Sequence, residues 1–120
     1  MKNQFFLRMS RLILACSLCL LPGCAGDSND DKPEHLPEVF TVEIKDMKFV
    51  PEQIEVNKGD TVVWINRDIV AHDATSLDDP PAWGSPALQS GQSWKMEVKE
   101  TADYYCSLHV VMRGKIVVKN

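Results

Sequence analysis

The sequence predicts an all-β domain over residues 39–120, built as an antiparallel β-sandwich. Short stretches of alternating apolar and polar residues recur in this region, and turn-forming residues separate them. No long stretch has the periodicity of an amphipathic helix, which repeats about every 3.6 residues. The chain has 120 residues, the length of one domain. Short strands with regular turns are typical of two sheets that pack face to face.

The first predicted strand spans residues 40–45, where Thr41, Glu43 and Lys45 alternate with apolar residues. One face of this strand is therefore apolar. The apolar face continues on both sides of Pro51, in Met47, Phe49, Ile54 and Val56. Residues 57–60 form a turn, because Gly59 can adopt a positive φ there.

The next strand is predicted at Thr61–Asn66, but the adjacent Val62 and Val63 leave its buried face undecided. Residues 67–86 are rich in loop-forming residues. A turn at residues 90–91 leads into a strand at residues 92–98, in which three side chains share a face: Trp94, Met96 and Val98. Two short strands complete the sandwich, at residues 104–106 and 115–119.

Residues 1–23 have the features of a lipoprotein signal peptide. Three basic residues precede the apolar run at residues 12–21, which is shorter than the roughly 20 residues that span a bilayer. Leu21-Pro22-Gly23-Cys24 resembles a lipobox, in which cleavage before Cys24 leaves that cysteine to carry lipid. The alternative is an ordinary secretory signal with an incidental cysteine.

Residues 24–38 are predicted to form an acidic linker between the lipid and the domain. This segment is rich in Asp, Ser, Asn and Pro and has no apolar periodicity. His35 lies within it and is expected to be solvated. Removal of residues 1–23 takes three of the 13 basic residues and none of the 17 acidic ones, so the net charge becomes 10 minus 17, or −7. Such a charge argues against nucleic acid as a partner.

The pattern most informative about function lies in residues 104–112, where Cys106, His109 and Met112 follow one another as C-x2-H-x2-M. Once the signal peptide is removed and Cys24 is acylated, Cys106 is the only free thiol. An exported protein whose cysteine has no disulfide partner needs another reason to keep it, and a metal supplies one. Thiolate and thioether are soft donors and imidazole is intermediate, so this set suits copper.

A blue-copper site also requires a second imidazole. His35 lies in the polar linker, whereas His72 follows a predicted strand, so we predict His72 as the further ligand. Each residue has a purely structural alternative: Cys106 and Met112 as buried apolar side chains, and the histidines as loop residues bonded to the backbone. Their joint occurrence at this spacing favours the metal site.

Two sequence patterns flank these residues: Ile54-x-Val56-x-x-Gly59-Asp60-Thr61-Val62-x-Trp64-x-Asn66 before His72, and Tyr104-x-Cys106-x-x-His109-x-x-Met112-x-Gly114-Lys115 at the end of the chain. With them the chain resembles the cupredoxins, the blue copper proteins, over residues 39–120. Within that family it is similar to amicyanin and the plastocyanin-like single-copper proteins. The short spacing from His109 to Met112 is similar to that of amicyanin.

The resemblance implies a Greek-key β-sandwich that binds one copper ion, with His72, Cys106 and His109 as strong ligands and Met112 as the axial ligand. It implies a monomer that is not an enzyme and that carries single electrons in the cell envelope. Its partners would be redox proteins such as c-type cytochromes, a dehydrogenase or an oxidase. Copper storage or delivery is the alternative function, because the same ligands can simply hold the ion.

Further residues are expected to surround the ligands: Asn66, Asp73 and Ser107. Cupredoxins commonly have Asn after the first histidine, whereas this chain has Asp73, which can accept a hydrogen bond from Ser107 but cannot donate one. Amicyanin has proline after the second histidine, where this chain has Val110. Electrons are expected to leave through His109, within an apolar surround formed by Val110, Val111 and residues 80–83.

A second alternative comes from residues 101–106, which also resemble the segment before the second cysteine of an immunoglobulin domain. A metal-free binding module of that type needs a partner cysteine on an early strand. The upstream cysteine that remains after processing is Cys24, on the lipid side of the linker, so the copper interpretation is preferred.

Overall fold

The computed structural model describes residues 34–120. Within that range no helix is long and apolar enough to cross a membrane. The signal peptide, Cys24 and most of the linker lie outside the described residues. The strands are β1 (Val39–Lys45), β2 (Lys48–Val50), β3 (Gln53–Val56), β4 (Thr61–Asn66), β5 (Thr75–Ser76), β6 (Ser93–Glu97), β7 (Ala102–Tyr105) and β8 (Arg113–Val118).

The strands form two four-stranded sheets, in the orders β2-β1-β4-β6 and β3-β8-β7-β5. The predicted all-β sandwich is confirmed, but the expectation of purely antiparallel pairing is corrected. β1 pairs in parallel with β4, and β3 pairs in parallel with β8. Parallel neighbours need a long crossover. Here the chain passes through β3, in the opposite sheet, before it returns as β4 beside β1.

The two sheets enclose one apolar core. Its buried members are Val42, Ile44, Phe49, Ile54, Val56, Val62, Trp64, Ala74, Leu88, Val98, Tyr104, Cys106, Met112 and Ile116. The sequence left the buried face of β4 undecided. In the structure this face carries Val62 and Trp64, which are fully buried, whereas Val63 on the other face is half-buried. Met47 departs from the prediction. It is 41% exposed because it lies in the β1–β2 turn with φ of 59°.

The end of the sandwich where β4 begins, which we call the far end, is held by Asp60. This fully buried carboxylate accepts hydrogen bonds from the backbone amides of Glu38 (2.9 Å) and Asn57 (2.7 Å). Burial disfavours its charge, but these amides and the nearby His35 outweigh that effect and lower the pKa of Asp60 to about 2. The turn before β4 is therefore closed around a charged group.

His35, which was expected to be a solvated linker residue, is exposed, but it also contacts the domain. Its Nε2 lies 2.6 Å from Oδ1 of Asp60 and 3.0 Å from Nδ2 of Asn57, and its side chain is 35% exposed. The backbone explains the contact, because the amide of Thr61 donates to the carbonyl of Glu38 and brings this segment to the start of β4.

Where β4 ends, three connections meet at the opposite end of the sandwich, which we call the loop end. They are the β1–β2 turn at Asp46 and Met47, the loop from β4 to His72, and the loop at residues 106–112 between β7 and β8. The six residues of β4 separate the loop end from the far end by about 20 Å.

Candidate metal centre

The loop end brings together the three residues that the sequence predicted as strong ligands. One donor atom each from His72, Cys106 and His109 lies within 4.8 Å of the others. The Nδ1 atoms of both histidines lie 3.8 Å from Cys106 Sγ, and the two imidazole centroids are 4.7 Å apart. His72 and Cys106 are fully buried, whereas His109 is half-buried. The structure therefore holds two imidazole nitrogens and one sulfur around a single point.

The position of His72 is set by backbone pairing. Its amide donates to the carbonyl of Leu88 (3.1 Å), and the Leu88 amide donates back (2.7 Å). Asn66, which the sequence analysis predicted beside the ligands, is fully buried and holds the segment between β4 and His72 through its side chain. Its Nδ2 donates to the carbonyls of Val70 and Leu88, at 2.8 Å each, and its Oδ1 accepts from the amide of Asp68 at 2.9 Å. Asn66 therefore fastens the loop that delivers His72.

The loop at residues 106–112 is closed by its own backbone. The His109 amide donates to the Cys106 carbonyl (3.2 Å), the Met112 amide to the His109 carbonyl (2.9 Å), and the Cys106 amide to the Met112 carbonyl (3.2 Å). Met112 therefore lies directly across the base of the loop from Cys106. Its side chain is 3% exposed and belongs to the same buried cluster as Cys106.

Asp73 ties the two ligand-bearing loops to each other. Its backbone amide donates to Cys106 Sγ at 3.4 Å, which joins the loop that carries His72 to the cysteine. Its carboxylate accepts from Ser107, through the backbone amide at 2.6 Å and through the hydroxyl. A carboxylate at this position therefore makes both acceptor contacts that Ser107 requires.

Sequence reasoning missed Asp68. Its Oδ2 lies 2.9 Å from Nε2 of His72, on the ring edge that faces away from Cys106. A carboxylate four residues before a histidine is a weak pattern in a loop. The contact depends on the β1–β2 turn, whose residues Asp46 and Met47 also bond to Asp68.

The surface of the loop end is apolar. Five exposed apolar residues lie on the two ligand-bearing loops: Ile69, Val70, Leu108, Val110 and Val111. Val110 and Val111 match the predicted surround of His109. The prediction is corrected for Trp83, which packs against Trp64 and Trp94, with ring centroids 5.7 and 6.1 Å away.

The donor set fits copper. A buried cysteine that is free within residues 34–120, two imidazoles and a neighbouring methionine are the ligands of blue-copper sites, whereas structural zinc sites use four thiolate or imidazole donors. The backbone bonds of both loops hold these donors in place without relying on the ion.

Comparison with known proteins agrees with this donor set. Residues 38–119 match the family described as copper binding proteins, plastocyanin/azurin family. Amicyanin of Paracoccus denitrificans is 35% identical over 85 residues, which is 67% of this chain and 65% of that relative, just under two thirds of its length.

Solved structures agree as well. The Cu(I) form of an amicyanin variant superposes with a TM-score of 0.64 and 32% identity, covering 72% of this chain and 87% of that one. A copper-containing nitrite reductase from Thermus scotoductus SA-01 has a TM-score of 0.61 and 29% identity, but only 23% of its chain is covered. The chain therefore belongs to the copper-binding proteins of the plastocyanin/azurin family.

Proposed function

We propose that this protein is a type 1 (blue) copper protein that carries single electrons between redox proteins of the cell envelope. The observation that carries the proposal is that one donor atom each from His72, Cys106 and His109 lies within 4.8 Å of the others. Bound copper would supply a one-electron couple between Cu(I) and Cu(II). A protein that holds its ligands in one arrangement limits the movement between those two states, and this favours fast electron transfer.

We propose that His72, Cys106 and His109 would hold copper as its strong ligands and that Met112 would add a weaker sulfur ligand. The backbone bonds across residues 106–112 support this assignment, because they fix Cys106, His109 and Met112 in one closed loop. The burial of Met112 supports it too, since a thioether beside Cys106 in the core is shielded from water. Asn66, Asp73 and Ser107 hold the loops that carry the ligands.

His109 is the proposed exit for electrons. Among the three clustered side chains it is the one that reaches the surface, since His72 and Cys106 are both fully buried. The adjacent Val110 and Val111 are 58% and 83% exposed. An apolar surface of this kind loses little solvation when it meets another apolar surface, so it suits brief docking of a c-type cytochrome, a dehydrogenase or an oxidase.

Copper storage or delivery remains the second candidate. The burial of His72 and Cys106 favours a carrier, because transfer of the ion to another protein requires those ligands to be reached in turn. A separate argument favours a carrier over an enzyme. The similarity to the nitrite reductase covers only 23% of that protein, so the activity of the whole reductase is not implied for this chain. Membership of the copper-binding family removes the immunoglobulin-like alternative.

Two experiments on the copper-loaded domain distinguish an electron carrier from a copper-delivery protein: voltammetry, and mixing with a metal-free acceptor protein. A carrier gives a reversible one-electron wave and fast electron self-exchange, and it keeps its copper when mixed with a metal-free acceptor protein. Ready transfer of copper to that acceptor would identify a delivery protein instead.

The proposed location is the extracytoplasmic cell envelope, on its periplasmic side or its outer face. Residues 1–23 would be removed, lipid on Cys24 would anchor the chain to a membrane, and residues 24–38 would link that anchor to the domain at residues 39–120. Support comes from the sequence alone, through the apolar run and the lipobox-like Leu21-Pro22-Gly23-Cys24. Membrane fractionation of cells that express the full chain tests this proposal. Recovery of all the protein in the soluble fraction would overturn it.

A further inference from the structure

We propose that Asp68 is a positioning residue for the copper site, which fixes the tautomer and orientation of His72 and places a negative charge behind that ligand. The proposal rests on the assignment of His72 as a copper ligand and extends it to a residue that does not touch the metal. Three observations carry it: the different partners of the two His72 nitrogens, the hydrogen bonds that hold Asp68, and the burial of His72.

The two nitrogens of His72 face different partners. Nδ1 lies 3.8 Å from Cys106 Sγ, and Nε2 lies 2.9 Å from Oδ2 of Asp68. An ionised carboxylate can only accept a hydrogen bond, so Nε2 carries the ring proton. The lone pair of a neutral imidazole then lies on Nδ1, toward the sulfur of Cys106. Asp68 therefore selects the tautomer that can bind a metal at the centre.

Asp68 is itself held in place by the turn between β1 and β2. Its Oδ1 accepts from the amide of Asp46 at 2.8 Å, and its Oδ2 accepts from the amide of Met47 at 3.0 Å. Both turn residues have positive φ, 53° and 59°, although neither is glycine. Successive amides in such a turn point to one side and form an anion-binding concavity. The carboxylate thus joins this turn to His72.

The carboxylate remains charged in this position. Its side chain is 16% exposed and His72 is fully buried. Its two oxygens face hydrogen-bond donors, the backbone amides of Asp46 and Met47 and the Nε2 of His72, which is an environment that suits a carboxylate anion. The ring of His72 is therefore placed between a fixed negative charge and the proposed ion.

A charged hydrogen-bond acceptor behind a ligand imidazole makes that imidazole a stronger donor to the metal. It also stabilises the more positive oxidation state, Cu(II), relative to Cu(I). Asp68 should therefore lower the reduction potential compared with a site whose imidazole faces a neutral group. The β1–β2 turn thereby influences the copper site without contacting it.

The first test uses the metal-free protein. Nitrogen NMR should show His72 of the wild-type chain protonated at Nε2, and Asp68→Ala should lose this single tautomer because Nε2 then has no acceptor. A wild-type His72 protonated at Nδ1 would overturn the proposal without the use of any variant. Because this measurement needs no copper, it decides the role of Asp68 even if the chain proves not to bind copper and the proposed function fails.

The second test uses the copper-loaded protein. Asp68→Asn, which removes the charge but keeps the shape, should raise the reduction potential, whereas Asp68→Glu should restore much of the wild-type value. A tenfold loss of preference for Cu(II) corresponds to a rise of about 59 mV for one electron. Asp60→Asn is the matched control, because it removes a buried carboxylate that also bonds to an imidazole, at the far end. Equal reduction potentials for Asp68→Asn and the wild type would show that Asp68 has only a structural role, and this result would refute the proposal.

Discussion

Two carboxylates flank β4, one fully buried and one partly buried, and the imidazoles that they contact have different surroundings. Asp60 at the far end and Asp68 at the loop end each accept bonds from two backbone amides and one imidazole. The imidazole at the far end is His35, whose side chain is 35% exposed and whose Nδ1 lies 3.5 Å from the side-chain nitrogen Nδ2 of Asn57. The imidazole at the loop end is His72, which is fully buried with Nδ1 toward the Cys106 sulfur.

The comparison teaches that the same local arrangement serves two purposes. At the far end it closes a turn and attaches the segment before β1, so its contribution is to stability. At the loop end it leaves the second nitrogen of a buried imidazole free beside a sulfur atom, so it orients a ligand. The difference lies in the second partner of the ring, not in the carboxylate.

The largest contrast should come from the two imidazoles. Replacing His72 by Ala removes a proposed ligand and should weaken copper affinity more than about 100-fold, the upper range for loss of an outer partner alone. Replacing His35 by Ala should leave copper affinity unchanged, because His35 lies at the far end. Competition with a copper chelator measures both. Equal affinities for the two variants would break the distinction between the ends.

A smaller effect is expected from Asp60, on stability alone. Its pKa is about 2 in the folded protein and near its ordinary value of 3.8 when unfolded. A lowered folded-state pKa stabilises the fold above the unfolded value, and this contribution disappears as the pH falls from about 4 toward 2. Asp60→Asn should therefore cost about 2 kcal/mol at neutral pH and progressively less below about pH 4.

Urea unfolding of the metal-free protein at neutral pH and at about pH 3 measures this change. Asp103→Asn is a suitable control, because Asp103 is 58% exposed and its ion pair with Lys115 spans 3.4 Å. The control should change the unfolding free energy by less than about 1 kcal/mol. A cost for Asp60→Asn that stays constant with pH would show that the carboxylate charge does not stabilise the far end.

The smallest effect concerns the surfaces of the two ends. Val111→Lys places a charge beside His109, whereas Leu36→Lys adds the same charge at the far end, where Leu36 is 76% exposed. Both variants change the net charge equally. Electron self-exchange, measured by NMR line broadening, should slow by about tenfold for Val111→Lys relative to Leu36→Lys, because like charges would then meet at the docking surface. Equal rates would show that electrons do not leave through the surface around His109.

The ligand cluster could be predicted from the sequence because its information is local. Cys106, His109 and Met112 lie within one short loop, so their spacing alone shows that they can converge. His72 could be chosen because it follows β4, whereas His35 lies in a polar segment. The alternation in β1 is likewise a local pattern, and its strand appears where predicted.

What the sequence could not predict depends on contacts between distant segments. The parallel pairing of β1 with β4 leaves no trace in the pattern of either strand. The partners of His35 and Asp68 come from turns that are remote in sequence, Asn57 to Asp60 in one case and Asp46 with Met47 in the other. From sequence alone, a polar residue in a polar segment is expected to face water. The folded protein can instead place a distant turn against that residue, and the sequence does not show this contact.

The visible spectrum of the copper-loaded, oxidised protein tests the central claim most directly. If Cys106 binds copper as a thiolate, charge transfer from its sulfur to Cu(II) should give intense visible absorption. Cys106→Ser should abolish that absorption, because an oxygen ligand does not form the same covalent bond, while circular dichroism still reports the β-sandwich. A wild-type protein that binds Cu(II) without such a band, or a Cys106→Ser variant that retains it, would contradict the assignment of this site.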